Sequence, residues 1–422
     1  MARAFPRPPL SPARLAPGLA VVLLMAASAA PASAQAQAAA VFYRSTFPAF
    51  ALRGGVDATD DATAAANALA TFANFLDATS LRAGAVPQRD RHYDSALRVH
   101  LGLEDAPDVI LARAESDLVG LRQEAAAFGR SVWRDVMGAR PMPAGDVPLL
   151  RALFARVAAD HDAEVAEYVA RWRATVNELE RFVRGRDVMT LPASMSLLIA
   201  EAPAQFLGQS VGRTYPPGPF APNAPTLLFL PVPRPDATPP QQEAFFRDFN
   251  RHFNRMIAAH ELIPGHYVQA HAAARHPRRI RAVFPDPLYE EGWATFCERL
   301  LLDHGWGGPL ERLAHLKKQL ENVTRVIVDV RLHTTGMSRD EVLQFARQQA
   351  VQDDQFAGNM WTRALTTSPQ MLSYHLGYRQ VRELYDLARR ERGDAFVLKT
   401  FTDGMMTLGP VPVRHYRARL LP

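Results

Sequence analysis

The chain has 422 residues, 48% of them hydrophobic and 22% charged, with a formal net charge of +5. That balance excludes a fibrous or disordered chain, and the length allows one large or two modest domains with a sizeable core. No Lys/Arg run is interleaved with aromatics, so no nucleic-acid partner is expected.

Residues 1–34 read as a secretory signal peptide. Arg3, Arg7 and Arg14 form a basic start with no acidic residue, Leu15 to Ala30 is apolar, and Ala32-Ser33-Ala34 offers a cleavage site before Gln35. The alternative is a membrane anchor, but the apolar run is short for a bilayer span and Pro17-Gly18 interrupts it. No cysteine follows the run to carry a lipid. A periplasmic or extracellular protein is expected, with no stable membrane span after cleavage. Without those three arginines the balance is 45 basic to 43 acidic residues, which argues for no polyanionic partner. Cys297 is the only cysteine, so an intramolecular disulfide is excluded. Its apolar helical surroundings fit a buried thiol better than a nucleophile.

Beyond the signal, residues 35–199 are expected to form an N-terminal helical region. Helices are expected at Asp61 to Leu76, over Asp105 to Met137 as one or two, and from Asp146 to Arg184. In the last, Leu149, Leu153, Val157, Tyr168, Trp172 and Val176 recur at helical spacing, with Asp146 as N-cap. Pro203 to Pro240 is rich in proline and glycine, yet Thr226 to Val232 reads as a short strand. Pro231 and Pro233 suit only an edge position. Such an edge could pair with an extended substrate; a proline-rich linker is the plainer alternative.

The catalytic region is expected at 200–422. Ala244 to Val268 is helical, then Pro287 to Leu302 with Asp286 as cap, Leu310 to Thr334, and Ser338 to Asp353 with a Ser338/Glu341 capping box. Gln370 to Arg390 is the last long helix. The class is mainly α, with a small β element.

His260-Glu261-Leu262-Ile263-Pro264-Gly265-His266 carries the chemistry. Zinc takes imidazole and carboxylate ligands, and a glutamate beside the first histidine can act as general base. In the familiar motif the histidines are four apart and share a helix face. Here they are six apart, which turns an ideal helix by about 240°. Pro264 and Gly265 offer the remedy, a break or bulge that returns His266 to the metal. The alternative is surface histidines, and His252, His271 and His276 lie nearby. Glu291 is the expected third ligand. Glu298, seven residues on and on the same helical face, is the expected partner for a ligand histidine.

These strings together resemble the bacterial family called domain of unknown function 885, which is similar to gluzincin metallopeptidases. His260 to His266 is followed by Tyr289 to Glu298, then Val328-Asp329-Val330-Arg331-Leu332-His333, then Ser368-Pro369-Gln370-Met371-Leu372-Ser373-Tyr374 and Gly377. The resemblance runs from about Ala200 to the C-terminus. It implies a multi-helix, metallopeptidase-like catalytic domain whose β element lies near the active site. The Glu290-Glu291 pair is also similar to dipeptidyl peptidase III, and by that analogy Glu291 is the ligand. The family pattern favours Tyr374 as the oxyanion donor over His333 and Arg379. Asp329 and His333, four apart, are expected to pair. For Asp329, His333, Arg363 and Arg379, a structural ion-pair network and a catalytic or substrate role stay open. Two departures stand out: the chain is shorter than most members, and Met360 stands where an acidic residue usually precedes the arginine matching Arg363.

The expected function is hydrolysis of a peptide or small amide with one zinc ion, held by His260, His266 and Glu291. Glu261 is the general base and Tyr374, with His333, steadies the oxyanion. The rivals are a zinc hydrolase of non-peptide amides or esters, and an inactive peptide-binding relative.

Overall fold

Apolar residues at helical spacing dominate the chain, and in the computed structural model they form helices joined mostly by short turns. The structure describes residues 29–421 apart from 46, 54, 84–91, 194–195, 203–212 and 235–236. The chain divides into two compact units, Met1–Gln88 and Arg89–Pro422.

In the first unit α1 (Ala29–Ser45), α2 (Phe47–Arg53) and α3 (Thr59–Ala83) pack together. Ala36 and Ala40 of α1 and Ala62, Ala66 and Ala73 of α3 are buried, and such small side chains let helices approach closely. The expected helix from Asp61 lies within α3. Most of the expected signal peptide, residues 1–28, lies outside the described residues; Ala32 to Ala34 fall in α1. No helix among the described residues is long and apolar enough to cross a membrane.

The second unit opens with α4 (Tyr93–Leu101), α5 (Pro107–Met137), α6 (Asp146–Ala158) and α7 (Val165–Gly185). Strands β1 (Leu197–Glu201), β2 (Arg213–Tyr215) and β3 (Thr226–Leu230) follow. Then come α8 (Pro239–Asp248), α9 (Arg251–Glu261), α10 (His266–Ala274), α11 (Ile280–Val283), α12 (Pro287–Asp303) and α13 (Pro309–Thr335). The chain closes with α14 (Arg339–Gln349), α15 (Asp354–Thr366), α16 (Leu372–Arg392), α17 (Leu398–Leu408) and α18 (Arg417–Leu420).

Several sequence expectations need correction. Asp146 to Arg184 forms two helices, because Asp160 and Asp162 between them leave the helix to bind Arg251 and Arg171. Asp146 is not a cap: Gly145, at φ 84°, precedes the helix, and Asp146 accepts from Arg130 Nη1 at 2.8 Å. Asp353 ends no helix but caps α15, accepting from Phe356 N. The Thr226 strand is central, not an edge: β3 pairs parallel with β1 and antiparallel with β2. Pro231 and Pro233 lie past Leu230, so they remove no donor from the ladder. The edges are β1 and β2.

Stretches on both sides of residue 200 build one continuous core in this unit, from Tyr93, Leu118, Leu153 and Trp172 to Ile257, Trp293, Leu320 and Leu384. Every residue of α13 from Lys318 to Val330 is buried, polar ones included. α12 and α16 meet backbone to backbone. A Cβ on Gly292 would stand 2.3 Å from Gly377 C, and one on Gly377 2.1 Å from Leu288 O.

Candidate metal centre

α9 ends on His260-Glu261 and α10 begins on His266. Between them the chain turns sharply through the cis Ile263–Pro264 bond, and Gly265 N donates to Ala259 O at 3.1 Å. A Cβ on Gly265 would lie 1.8 Å from His260 O, so only glycine fits. The break expected at Pro264-Gly265 is present, and it sets the two imidazoles 4.8 Å apart, ring planes perpendicular.

α12 supplies the carboxylate. Its N-terminus is fixed as expected, Asp286 accepting from Tyr289 N at 2.8 Å with Pro287 in the first turn. Trp293 Nε1 donates to Pro264 O at 3.0 Å and pins α12 to the turn between the histidines. Glu291 Oε2 lies 3.3 Å from His260 Nε2 and 3.4 Å from His266 Nε2. One ligand atom from each residue falls within 4.8 Å of the other two.

Two observations show that this trio fits a metal cation. Among the described residues, Glu291 Oε2 is buried and faces no polar partner other than the two imidazole nitrogens at 3.3 and 3.4 Å, and buried carboxylate oxygens are ordinarily satisfied. Each imidazole also presents the correct nitrogen. His260 Nδ1 meets Glu298 Oε1 at 2.8 Å, and His266 Nδ1 meets Gln269 Oε1 at 3.2 Å. Both partners accept, so each Nδ1 carries a proton, and Nε2 is the nitrogen that faces Glu291, protonated against it or free to bind a cation. Burial disfavours charge in the trio, but the attraction prevails: Glu291 is held well below the usual carboxylate range by both imidazoles, and His266 is raised to about 9 by Glu291. Burial foremost lifts the neighbouring Glu290 to about 7.

Behind His260 lies a buried charge cluster. Glu298 also meets His315 Nδ1 at 3.1 Å and pairs with Lys318, whose Nζ stands 3.3 Å from His260 Nδ1. Glu261, beside His260, accepts from Thr214 Oγ1 at 2.8 Å, so edge strand β2 reaches the site through a side chain. Tyr374 on α16 stacks along His260, ring centroids 6.2 Å apart and planes 19° apart. Its hydroxyl lies 3.5 Å from Arg363 Nη2 and from Gln370 Nε2. Gln370 bridges onward, accepting from Arg363 at 2.8 Å and donating to Glu291 Oε1 at 3.2 Å. Met360 is buried and apolar, and Arg363 is held by Gln370 and by the hydroxyl and ring of Tyr374.

The structure thus gathers His260, Glu261, His266, Glu291, Glu298, Tyr374 and Arg363. Asp329, His333 and Arg379 are engaged elsewhere. Asp329 accepts from Tyr93 and Ser368 rather than from His333, whose Nε2 donates to Ala364 O while its ring stacks on Tyr93. The expected direct hydrogen bond is not made, because His333 Nε2 is committed to Ala364 O; His333 acts on Asp329 through its charge alone. Arg379 binds Asp117 and Glu383, an ion-pair network. Sequence reasoning missed Gln269, Thr214, Lys318 and His315. A polar residue three after a ligand histidine was a readable signal for Gln269; the others required tertiary contacts.

The model of a family described as bacterial proteins of unknown function, DUF885, matches residues 13–420. The chain belongs to this DUF885 family. No curated protein matches the sequence. Two solved structures share the fold. A protein of unknown function from Shewanella oneidensis, described as a lipoprotein, aligns with TM-score 0.76 and 22% identity, over 94% of this chain and 73% of that one. A protein from Colwellia psychrerythraea, also described as a lipoprotein, aligns with TM-score 0.71 and 17% identity, over 86% and 62%. At these identities the likeness is one of fold, and this DUF885 chain spans less than three-quarters of either relative.

Proposed function

We propose that this protein is an exported zinc-dependent hydrolase, a gluzincin-like metallopeptidase in which His260, His266 and Glu291 hold one zinc ion. The observation that carries the reading is the buried Glu291 Oε2 facing two imidazole Nε2 atoms. Two imidazoles and one carboxylate are the donor set of many catalytic zinc sites. When bound, zinc supplies Lewis acidity for carbonyl polarisation and water activation.

The protein's own groups complete the reaction. Glu261, held at Oε2 by Thr214, takes a proton from the attacking water. The hydroxyl joins the carbonyl carbon, the C–N bond breaks, and Glu261 returns the proton to the leaving nitrogen. Tyr374, beside His260, donates to the developing oxyanion. His333 has no part in this scheme, since its Nε2 is committed to Ala364 O. The basic, apolar start of the chain and the lipoprotein descriptions of its two fold relatives support export.

Elemental analysis tests the centre: about one zinc per chain is expected, lost in His260→Ala and Glu291→Ala. A peptide pool, with acylated amines and esters beside it, tests the chemistry. Peptide cleavage that disappears in Glu261→Gln supports the reading; equal turnover by the two proteins sinks it.

A further inference from the structure

We propose that Arg363 receives a carboxylate of the substrate, one or two residues beyond the bond that is cut; this rests on the hydrolase reading above. The guanidinium stands beside the candidate centre. Its Nη2 donates to Gln370 Oε1 at 2.8 Å, and Gln370 donates in turn to Glu291 at 3.2 Å. Its carbon lies 5.4 Å from the centre of the Tyr374 ring, which stacks along His260. Two hydrogen bonds and the amide between them span on the order of 8 Å. An extended chain covers that distance in about two residues.

Arg363 is half-buried, and no carboxylate of the described residues lies within ion-pair distance of it. Several other shielded arginines of this unit hold one: Arg255 has Glu178, Arg299 has Asp303, Arg325 has Glu321, and Arg382 has Asp386. Half-buried Arg122 and Arg281 bond to amide and carbonyl oxygens instead. Two acids are felt at Arg363, but both are engaged elsewhere: Glu291 faces the two imidazoles and Glu321 is taken by Arg325. On its own helix the flanking Met360 and Ala364 are apolar and buried. A guanidinium carries five N–H donors in a planar fork. Here one neutral amide oxygen at 2.8 Å and one long contact to a hydroxyl are its hydrogen bonds. A partly desolvated cation in that state favours an anion, and a carboxylate matches the fork with two parallel bonds. The carboxylate can be the end of a chain or an acidic side chain.

The full chain, loaded with zinc, is given N-acetylated tetrapeptide pools in three forms: free C-terminal acid, C-terminal amide, and C-terminal amide with aspartate as last residue. Cleavage is followed by mass spectrometry, and binding to Glu261→Gln protein by calorimetry. The free acid is expected to exceed the plain amide at least ten-fold in kcat/KM, mainly through KM, and to bind correspondingly tighter. Arg363→Gln should bring acid and amide within about two-fold, and Arg363→Lys should keep part of the difference. If the aspartyl amide alone exceeds the plain amide, the proposal holds and the side chain is the source; if it matches a preferred free acid, either carboxylate serves. Equal cleavage of all three forms by the unmodified protein overturns the proposal and leaves the hydrolase reading standing. Arg363-dependent preference in binding, with no cleavage of any pool, upholds Arg363 as a carboxylate site and overturns the hydrolase reading together with the placement relative to a cut bond. No preference in either measurement overturns the proposal.

Discussion

At His260 the two ring nitrogens have different duties. Nε2 faces Glu291, while Nδ1 is held by Glu298, a carboxylate with no exposed surface. A lone carboxylate at that depth would be costly. Burial opposes the charge of Glu298, but Lys318 and the imidazoles of His260 and His315 outweigh it and hold the group well below the usual carboxylate range. Lys318 therefore acts on the centre from one residue away. Lys318→Met is expected to weaken zinc binding roughly 10–100-fold, as loss of supporting contacts does at metal sites. Competition against a chelator measures this; an unchanged affinity would reduce Lys318 to a space-filling role.

Between elements, two close approaches set the site. Gly265 lets α10 begin against the end of α9, and Gly292 with Gly377 lets α12 touch α16, bringing Glu291 and Tyr374 to the same centre. Gly292→Ala should force those helices apart. A loss of about 1–3 kcal/mol is expected in urea unfolding, in the range of overpacked cores, together with reduced zinc affinity. The start of α9 is anchored by His252, which bridges Asp160 at 2.9 Å and Glu311 at 2.9 Å. Burial raises the Glu311 carboxyl, but His252 and the Gly308 N–H prevail and bring it down to about 2. Because the folded value lies below the unfolded one, the folded state binds fewer protons between them, so stability falls as pH falls. Relative to Glu311→Gln, the extra stability of the unmodified protein should be constant above about pH 5 and shrink as pH falls toward 2. A gap independent of pH in urea titrations would contradict this.

At the scale of the molecule, the main core of the second unit carries the helices that supply the candidate ligands and their supporting charges. α9, α10, α12, α13 and α16 are packed within it, so site geometry and folding are coupled. A metal joining α9, α10 and α12 then stabilises the folded state by mass action, by about 2.7 kcal/mol when free zinc is 100 times its Kd. Chelation should lower Tm, and zinc should restore it. Glu291→Ala should show no such response; an equal response would place the stabilising ion elsewhere.

The helices were legible wherever apolar residues recur at helical spacing and a cap marks the end, as at Asp286-Pro287 and Ser338. The broken motif was legible too, because Pro264 and Gly265 cannot continue a helix between two histidines. The central place of β3 was not, since a proline near a strand does not say on which side of the last ladder bond it falls. Nor were the partners of Asp329 and His333, where Tyr93 arrives from more than 200 residues away. The local sequence by itself determined the candidate ligand set and the need for a break in the helix. Only the tertiary structure decided what stands behind those residues: Lys318 at Glu298, Thr214 at Glu261, and an arginine at 363 with no carboxylate of the described residues in ion-pair distance. The physical reason is that a ligand motif is written in neighbouring residues, whereas its supporting charges come from helices that meet only when the core closes.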